Sequence, residues 1–336
     1  MMPNESEIEG DLDCSIVIAT RHRPEPLRDT LASITRQTRM PREIIVVDSS
    51  LNGETRSVCE SFTRVLPLKY ISTAIRSSAR QRNVGAEKIS HPILIFLDDD
   101  VLLEPEFLER LIEPFDSDRG GCIGGVGGTI MNELLPEYST FNRKVLEFFL
   151  GVSLRDIGGK VVGPAVQFVY GDIGRGCRDV DFLPSGACAY RKHVFDRYRF
   201  ADSFEGYSFM EDVHLSYRVK RAYSLLQVGS ARLRHLGLGS ERRNDWVAHG
   251  ESRVLNRHFV MIDAMGKDSL PDVLRLFGFE LFYSVAAGFW NGGRGGRVAP
   301  TVQQLVGALR GALRVLSGRS PHARASTVRV IGKGTL

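Results

Sequence analysis

Five cysteines in 336 residues, Cys14, Cys59, Cys122, Cys177 and Cys188, are odd in number, widely spaced and contain no CxxC. That pattern excludes a disulfide framework and a cysteine zinc site, and it fits a reducing compartment. Long apolar runs are missing too. No stretch reaches the ~18 consecutive apolar residues of a spanning helix, and the nearest, Leu276 to Trp290, is interrupted by Glu280. The first thirteen residues are polar and acidic, so no secretory signal is expected there. Acidic residues vanish altogether from Leu281 onward, where eight Lys or Arg stand without one Asp or Glu. Taking those eight from the 44 basic residues leaves 36 against 40 acidic, so a slightly acidic body carries a basic arm. The arm calls for an anionic partner: membrane lipid, an acidic polymer or nucleic acid. Hydrophobic (43%) and charged (25%) fractions are ordinary, which rules out disorder and collagen-like order and leaves one to two globular domains.

What is present reads as α/β. SIVIAT (15–20), EIIVVD (43–48), LKYI (68–71) and PILIFL (92–97) are short apolar runs. Helical patterns near 24–34, 53–64 and 77–89 separate them. Strands apolar throughout and alternating with helices indicate a parallel sheet covered on both faces. Ligands of such sheets lie beyond the strands' carboxyl ends, so Ala19-Thr20-Arg21, Asp48-Ser49 and Asp98-Asp99-Asp100 should share one crevice. Between Gly120 and Gly176 the pattern loosens into glycine-rich stretches, expected to be an insertion shaping an acceptor site. The fold resumes at 181–195 and ends near His235. Two helices follow, over 252–290 and 301–317, joined by a Gly/Arg linker.

Four constellations carry chemistry. FLDDDV (96–101) delivers three carboxylates from a strand end, which suits a hard divalent cation that shares its shell with phosphate. Adjacent aspartates repel, so something positive must offset them; the plainer alternative is an acidic helix cap. A phosphatase-type DxDx[TV] fits less well, with Leu102 at its fifth position and the run well past the first strand. FMEDVHLSYRVKRA (209–222) sets Glu211 and Asp212 at a helix start, either as a general base or as a pair favoured by the helix dipole. SSARQRNVGAEK (77–88) carries Arg80 and Arg82, suited to diphosphate oxygens or to a solvated basic face. His235, in ARLRHLG, is a ligand or a structural histidine.

In order, SIVIATRHRP, EIIVVDSS, ARQRNVGA, ILIFLDDDV, LPSGACAYRK and MEDVHLSYR resemble the family 2 glycosyltransferases over roughly residues 14–240. The resemblance implies a GT-A type fold, a Rossmann-like mostly parallel sheet flanked by helices, here with a C-terminal helical extension. It implies a flexible N-terminus (1–13) and a catalytic domain at 14–240, divided into a nucleotide-sugar half (14–118) and an acceptor half (119–240). A helical extension (241–318) and a flexible tail (319–336) follow. Carried over position by position, Ala19, Thr20 and Arg21 contact the nucleotide, and Asp48 accepts a hydrogen bond from the base, as in uracil or thymine recognition. Arg82 and Asn83 lie near the donor. Asp100 binds metal, and Asp98 or Asp99 binds ribose or metal. Ser185, Gly186 and Ala187 line the acceptor side, Asp212 is the base, Glu211 assists the acceptor, and His235 completes the metal or diphosphate site.

The implied reaction is inverting transfer of a sugar from a UDP- or dTDP-type donor to a carbohydrate or lipid-linked hydroxyl, with Mg²⁺ or Mn²⁺, in polysaccharide or glycolipid synthesis. Two other readings stay open. A nucleotidyltransferase would want a glycine-rich phosphate loop after the first strand, which ATRHRPEPL lacks. A non-catalytic nucleotide-sugar-binding protein on the same fold would not be expected to keep Asp100 and Asp212. For the arm, apolar and basic residues mixed at 301–317 suit a helix in a headgroup region; packing on the catalytic domain or a dimer face are the alternatives. No nucleic-acid motif accompanies it. A cytoplasmic protein, peripheral at the inner face of the cell membrane and able to oligomerise, is the resulting expectation.

Overall fold

The computed structural model describes residues 12–132, 143–144, 147–148, 150, 153, 158–167, 173–204, 208–237, 245–292, 298–320 and 322. The expected flexible ends lie largely outside these residues, as do much of the glycine-rich stretch and the linker at 293–297.

The first half is a run of βα units. Strands β1 (Cys14–Thr20), β2 (Glu43–Asp48), β3 (Leu68–Ser72) and β4 (Ile93–Leu97) pair in parallel in the order β3-β2-β1-β4. In β2 and β4 every residue is buried, which is why residues 44–47 and 93–97 are continuously apolar rather than alternating. Helices α1 (Pro24–Ile34) and α2 (Glu54–Phe62) cover one face, where Leu27, Leu31, Ile34 and Val58 join Ile16, Ile18 and Val46. Helix α3 (Ser78–Ala86) covers the other face. A Cβ at Gly85 would come within 2.4 Å of Val17 Cγ1, so the glycine is what lets α3 lie so close to β1.

The chain then leaves the parallel pattern. It forms β5 (Val101–Leu103), α4 (Phe107–Ser117), β6 (Ile123–Ile130), β7 (Val161–Val162), β8 (Val166–Gln167), β9 (Cys177–Asp179) and β10 (Ala187–Arg191). Helices α5 (Lys192–Tyr198) and α6 (Glu211–Lys220) and the long strand β11 (Ser224–His235) follow. The full path is β3-β2-β1-β4-β10-β6-β11-β5, with β9 also on β11; β7 and β8 make a separate pair. β10 runs antiparallel to both β4 and β6, and β5 runs antiparallel to β11. Residues 123–130 therefore correct the expectation of an insertion beginning at Gly120: IGGVGGTI is an interior strand. Its glycines are required by packing, since a Cβ at Gly125 would meet Leu183 at 2.6 Å and one at Gly128 would meet Phe107 at 2.5 Å.

Two registers set up the crevice. Val101 stands opposite His235, and Ala187 stands opposite Leu97. The three aspartates between β4 and β5 thus lie beside the end of β11 on one side and the segment entering β10 on the other.

The C-terminal helices are α7 (Trp246–Phe259), continued by a π-helical turn over Val260–Ala264, α8 (Leu270–Gly292) and α9 (Val298–Leu316). The single helix expected over 252–290 is in fact two, broken where Gly266 takes φ +69°. Glu280, read in the sequence as an interruption, is buried and paired with Arg253 and Arg257 of α7. No helix among the described residues is long and apolar enough to cross a membrane. His322, in the segment expected to be flexible, is buried and stacked on Phe259 at 4.3 Å between ring centroids.

Candidate active site

The three aspartates of the run differ in their sets of partners, with Arg23 shared by two of them. Asp99 is almost fully buried; its Oδ2 accepts from Thr20 Oγ1 at 2.6 Å and its Oδ1 pairs with Arg23 Nη1 at 2.9 Å. Burial, with Asp98 and Asp100 as negative neighbours, pushes the Asp99 carboxyl up to about 7 against the pull of Arg23 and Thr20. Asp100 receives Arg23 Nη2 on Oδ2 at 2.6 Å, and His235 Nε2 lies 3.1 Å from its Oδ1. Burial pushes this carboxyl up, but His235 and Arg23 outweigh burial and hold it below the ordinary aspartate value. Asp98 is half-exposed and accepts from Arg82 Nη2 at 2.7 Å.

Asp98, Asp100 and His235 each turn one ligand-capable atom to a common point, all within 4.8 Å of one another. Two carboxylate oxygens and an imidazole nitrogen are a donor set that Mn²⁺ or Mg²⁺ accepts, with positions left for phosphate oxygens. The residues therefore fit such an ion, and the aspartate grouped with Asp100 and His235 is Asp98 rather than Asp99. Gly186 is part of the same corner. Its carbonyl accepts from the Asp98 amide at 3.2 Å, and a Cβ there would lie 2.1 Å from Asp98 Oδ2.

The second carboxylate pair approaches from α6. The helix follows Met210, held at φ 75°, and Ser208 at φ 33° lies just before it, so two non-glycine residues carry left-handed backbone beside the site. Ser208 Oγ accepts from the Ala79 amide at 3.3 Å, tying this turn to the start of α3. Buried Arg82, on α3, then spans the gap: Nη1 donates to Glu211 Oε1 at 3.0 Å while Nη2 reaches Asp98. Ser185 Oγ donates to the same Glu211 oxygen at 3.1 Å. Asp212 is half-buried, and its Oδ1 accepts from the Val213 amide at 2.8 Å. Burial raises the carboxyls of Glu211 and Asp212 above their ordinary values; the charge of Asp212 adds to this at Glu211, and that of Asp98 at Asp212. Arg82 opposes the rise at both. One guanidinium thus couples the aspartate run electrostatically to the pair on α6.

Of the residues expected at the site, Thr20, Arg82, Asp98, Asp99, Asp100, Ser185, Gly186, Glu211 and His235 form this connected network, and Asp212 adjoins it. Ala19 and Arg21 flank Thr20 and are half-buried. Three other expected residues are held by contacts within the fold. Asp48 is completely buried, its Oδ1 accepting from the Ser50 amide and hydroxyl and its Oδ2 from the Tyr70 hydroxyl, so these contacts shape the end of β2. Asn83 donates to the Phe200 carbonyl at 2.9 Å and braces α3. Ala187 is wholly buried in the core under β4, so its methyl lines no acceptor surface.

Two site residues escaped the sequence. Arg23 supplies the positive charge that three adjacent aspartates demanded, and its place in ATRHRP, one turn past β1, was the available signal. Gln81 donates from Nε2 to the carbonyls of Thr20 and Val47 at 3.0 and 2.9 Å, clamping the ends of β1 and β2 together. Nothing in the local sequence marked it.

Residues 15–198 match the description "Glycosyl transferase family 2". Among curated proteins, the chain is 35% identical over 102 residues to validoxylamine A glucosyltransferase of Streptomyces hygroscopicus subsp. limoneus, covering 29% of this chain and 22% of that one. It is 24% identical over 147 residues to glucosyl-dolichyl phosphate glucuronosyltransferase of Haloferax volcanii, covering 43% and 46%. Both matches span less than half of the relative's own length. Among solved structures, mannosyltransferase PcManGT from Pyrobaculum calidifontis in complex with GDP-Man and Mn²⁺ superposes with a TM-score of 0.50 at 15% identity, over 98% of this chain and 89% of that one. GalNAc-T7 with UDP, GalNAc and Mn²⁺ superposes at 0.53 and 16% identity, over 76% and 55%.

Proposed function

The chain belongs to glycosyl transferase family 2 and has the GT-A fold, and from that premise we propose that it transfers a sugar from a nucleotide diphosphate donor to an acceptor hydroxyl with inversion. One observation carries the reading. Asp98, Asp100 and His235 present ligand atoms within 4.8 Å of one another, and Arg82 links Asp98 to the helix start bearing Glu211 and Asp212. A cation seat beside a raised-pKa carboxylate pair is what displacement at an anomeric carbon requires. Asp98, Asp100 and His235 would hold a divalent ion, which would supply charge stabilisation for the diphosphate leaving group.

The remaining work falls to the protein's own residues. Asp212, ionised, takes the proton of the acceptor hydroxyl as that oxygen attacks from the face opposite the nucleotide, and the configuration inverts in one step without a sugar–enzyme bond. Burial makes Asp212 a stronger base than an ordinary aspartate while Arg82 keeps it ionisable near neutrality. Glu211, fixed by Arg82 and Ser185, borders the acceptor. Thr20, Gln81 and Arg23 hold the strand ends and Asp99 rigid beneath the diphosphate.

The donor is of the UDP or dTDP type, and the acceptor is a carbohydrate or lipid-linked sugar. The Haloferax volcanii relative, by its name a glucosyl-dolichyl phosphate glucuronosyltransferase, supports a lipid-linked acceptor. A lipid-linked acceptor places the work at the inner face of a membrane, in polysaccharide or glycolipid synthesis. The test is a screen of nucleotide sugars with membrane extract as acceptor, with and without Mn²⁺, for the parent and for Asp212→Asn. Transfer should appear with one donor, need the ion, and fall by about 10²–10⁴ in the variant, the usual worth of a positioned base. Donor binding should persist. Binding without turnover in the parent would point to a non-catalytic nucleotide-sugar protein instead.

A further inference from the structure

Helix α9 docks on α7 through its small residues. A Cβ at Gly307 would lie 2.1 Å from the Val247 carbonyl oxygen, one at Gly311 would lie 2.9 Å from Val254 Cβ, and one at Gly250 of α7 would lie 2.2 Å from the Gln304 carbonyl oxygen. This backbone-to-backbone contact fixes the rotation of α9 and turns its opposite face outward. On that face stand Val302, Val306, Leu309, Leu313 and Leu316, all exposed and spaced by four, three, four and three residues. They form one continuous apolar stripe along the helix. The neighbouring helix α8 carries a second set, Leu270, Leu274, Leu281 and Val285, at spacings of four, seven and four. Most of the large apolar side chains exposed among the described residues therefore sit on these two helices. A soluble surface does not ordinarily carry so many exposed large apolar side chains on adjoining helices unless something covers them.

The charges at the edge of the stripe choose between occupants. Arg310 and Arg314 lie one turn apart along one border of it, both exposed, and Arg314 Nη1 also pairs with Glu251 of α7 at 2.6 Å. Arg319 follows just beyond the helix. No acidic residue occurs from Leu281 to the end of the sequence. Two copies meeting stripe to stripe would bring the Arg310 side chains together with no carboxylate on α9 to receive them. An anionic lipid surface meets both demands, with acyl chains for the leucines and headgroup phosphates for the arginines.

We propose that the α8–α9 face is a membrane-docking surface, with α9 lying in the headgroup plane of an anionic bilayer, its leucine stripe inward and its arginines at the phosphates. The inference deepens the lipid-linked reading above by naming the surface that brings the enzyme to its acceptor. Donor hydrolysis in solution does not depend on it, so the two can fail separately.

The experiment uses the full chain with vesicles of phosphatidylcholine alone or mixed with phosphatidylglycerol, scored by co-sedimentation. The parent and the double variant Leu309→Glu, Leu313→Glu are compared, both positions being well exposed, together with Arg310→Glu. Thermal melting and donor hydrolysis confirm that the variants are folded. The expected result is sedimentation with the anionic vesicles only, reduced about tenfold or more by the double variant and reduced also by Arg310→Glu. Light scattering should find a monomer without vesicles. Absence of binding to anionic vesicles, equal binding by parent and double variant, or a solution dimer that the double variant dissociates would each overturn the proposal. The last would assign the stripe to a second copy.

Discussion

The guanidinium of Arg23 donates to Asp100 across 2.6 Å, so the carboxylate most buried among the three metal-ligand candidates already holds a cation. A fixed positive charge at that distance from a candidate metal ligand competes with an incoming ion, and the same charge beside the seat favours a bound diphosphate. Arg23→Gln should therefore bind Mn²⁺ several-fold more tightly without nucleotide, while the KM for donor rises. Calorimetry with Mn²⁺ alone and donor kinetics read the two effects apart. An unchanged Mn²⁺ affinity would mean that this charge does not reach the seat.

Gly186 constrains the same seat from the opposite side. A methyl there would fall 2.1 Å from Asp98 Oδ2 and 2.4 Å from Asp98 Cγ, so the Asp98 side chain has to leave its place. Gly186→Ala is expected to weaken Mn²⁺ binding by about tenfold or more, the loss of one carboxylate ligand, with a melting temperature close to the parent's. Gly121, with φ +63° in the turn before β6 and nothing near a built Cβ, is the control: alanine there should cost stability and leave ion binding alone.

These residues also mark how far the sequence could be read. The parallel half was legible because β2 and β4 are buried on both faces and leave unbroken apolar runs. Strand β6 was not, since glycines demanded by Phe107, Tyr190 and Tyr223 look the same in sequence as glycines that loosen a loop. The aspartates, Glu211 and His235 were legible as chemistry, but which aspartate would join His235 depended on the β5–β11 register, a long-range fact. The burial of Asp48 and Ala187 was hidden for the same reason: the Tyr70 hydroxyl and the β4–β10 pairing that bury them lie far along the chain.

The pH dependence of transfer follows from the pair on α6. Burial lifts both carboxyls, and in the proposed mechanism the ionised form of Asp212 is the active one. kcat/KM should therefore rise with pH through an apparent midpoint above the ordinary carboxylate range, a property of the pair and not of either residue alone. Arg82 favours the ionised forms of both, so removing its charge raises the midpoint further. Arg82→Gln should shift the acid limb to higher pH, and Arg82→Lys should shift it less. A limb at the ordinary aspartate position, unmoved by Arg82→Gln, would remove Asp212 from the role of base.

The buried triad of Glu280 with Arg253 and Arg257 makes the strongest claim on stability. Both guanidinium groups bond to the one carboxylate, and all three side chains are almost fully buried. The arginines outweigh burial and hold Glu280 below the ordinary glutamate value, so its contribution is present above the unfolded-state pKa and is lost as pH falls through the folded one. Glu280→Gln keeps the shape and leaves two buried cations without a counter-charge, at a cost of about 3–5 kcal/mol. Denaturant unfolding near neutral pH should record a loss of that order, shrinking in acid as the parent's own carboxylate is protonated. A much smaller loss at neutral pH would mean that water already reaches the triad and that α7 and α8 are held together by their apolar contacts alone.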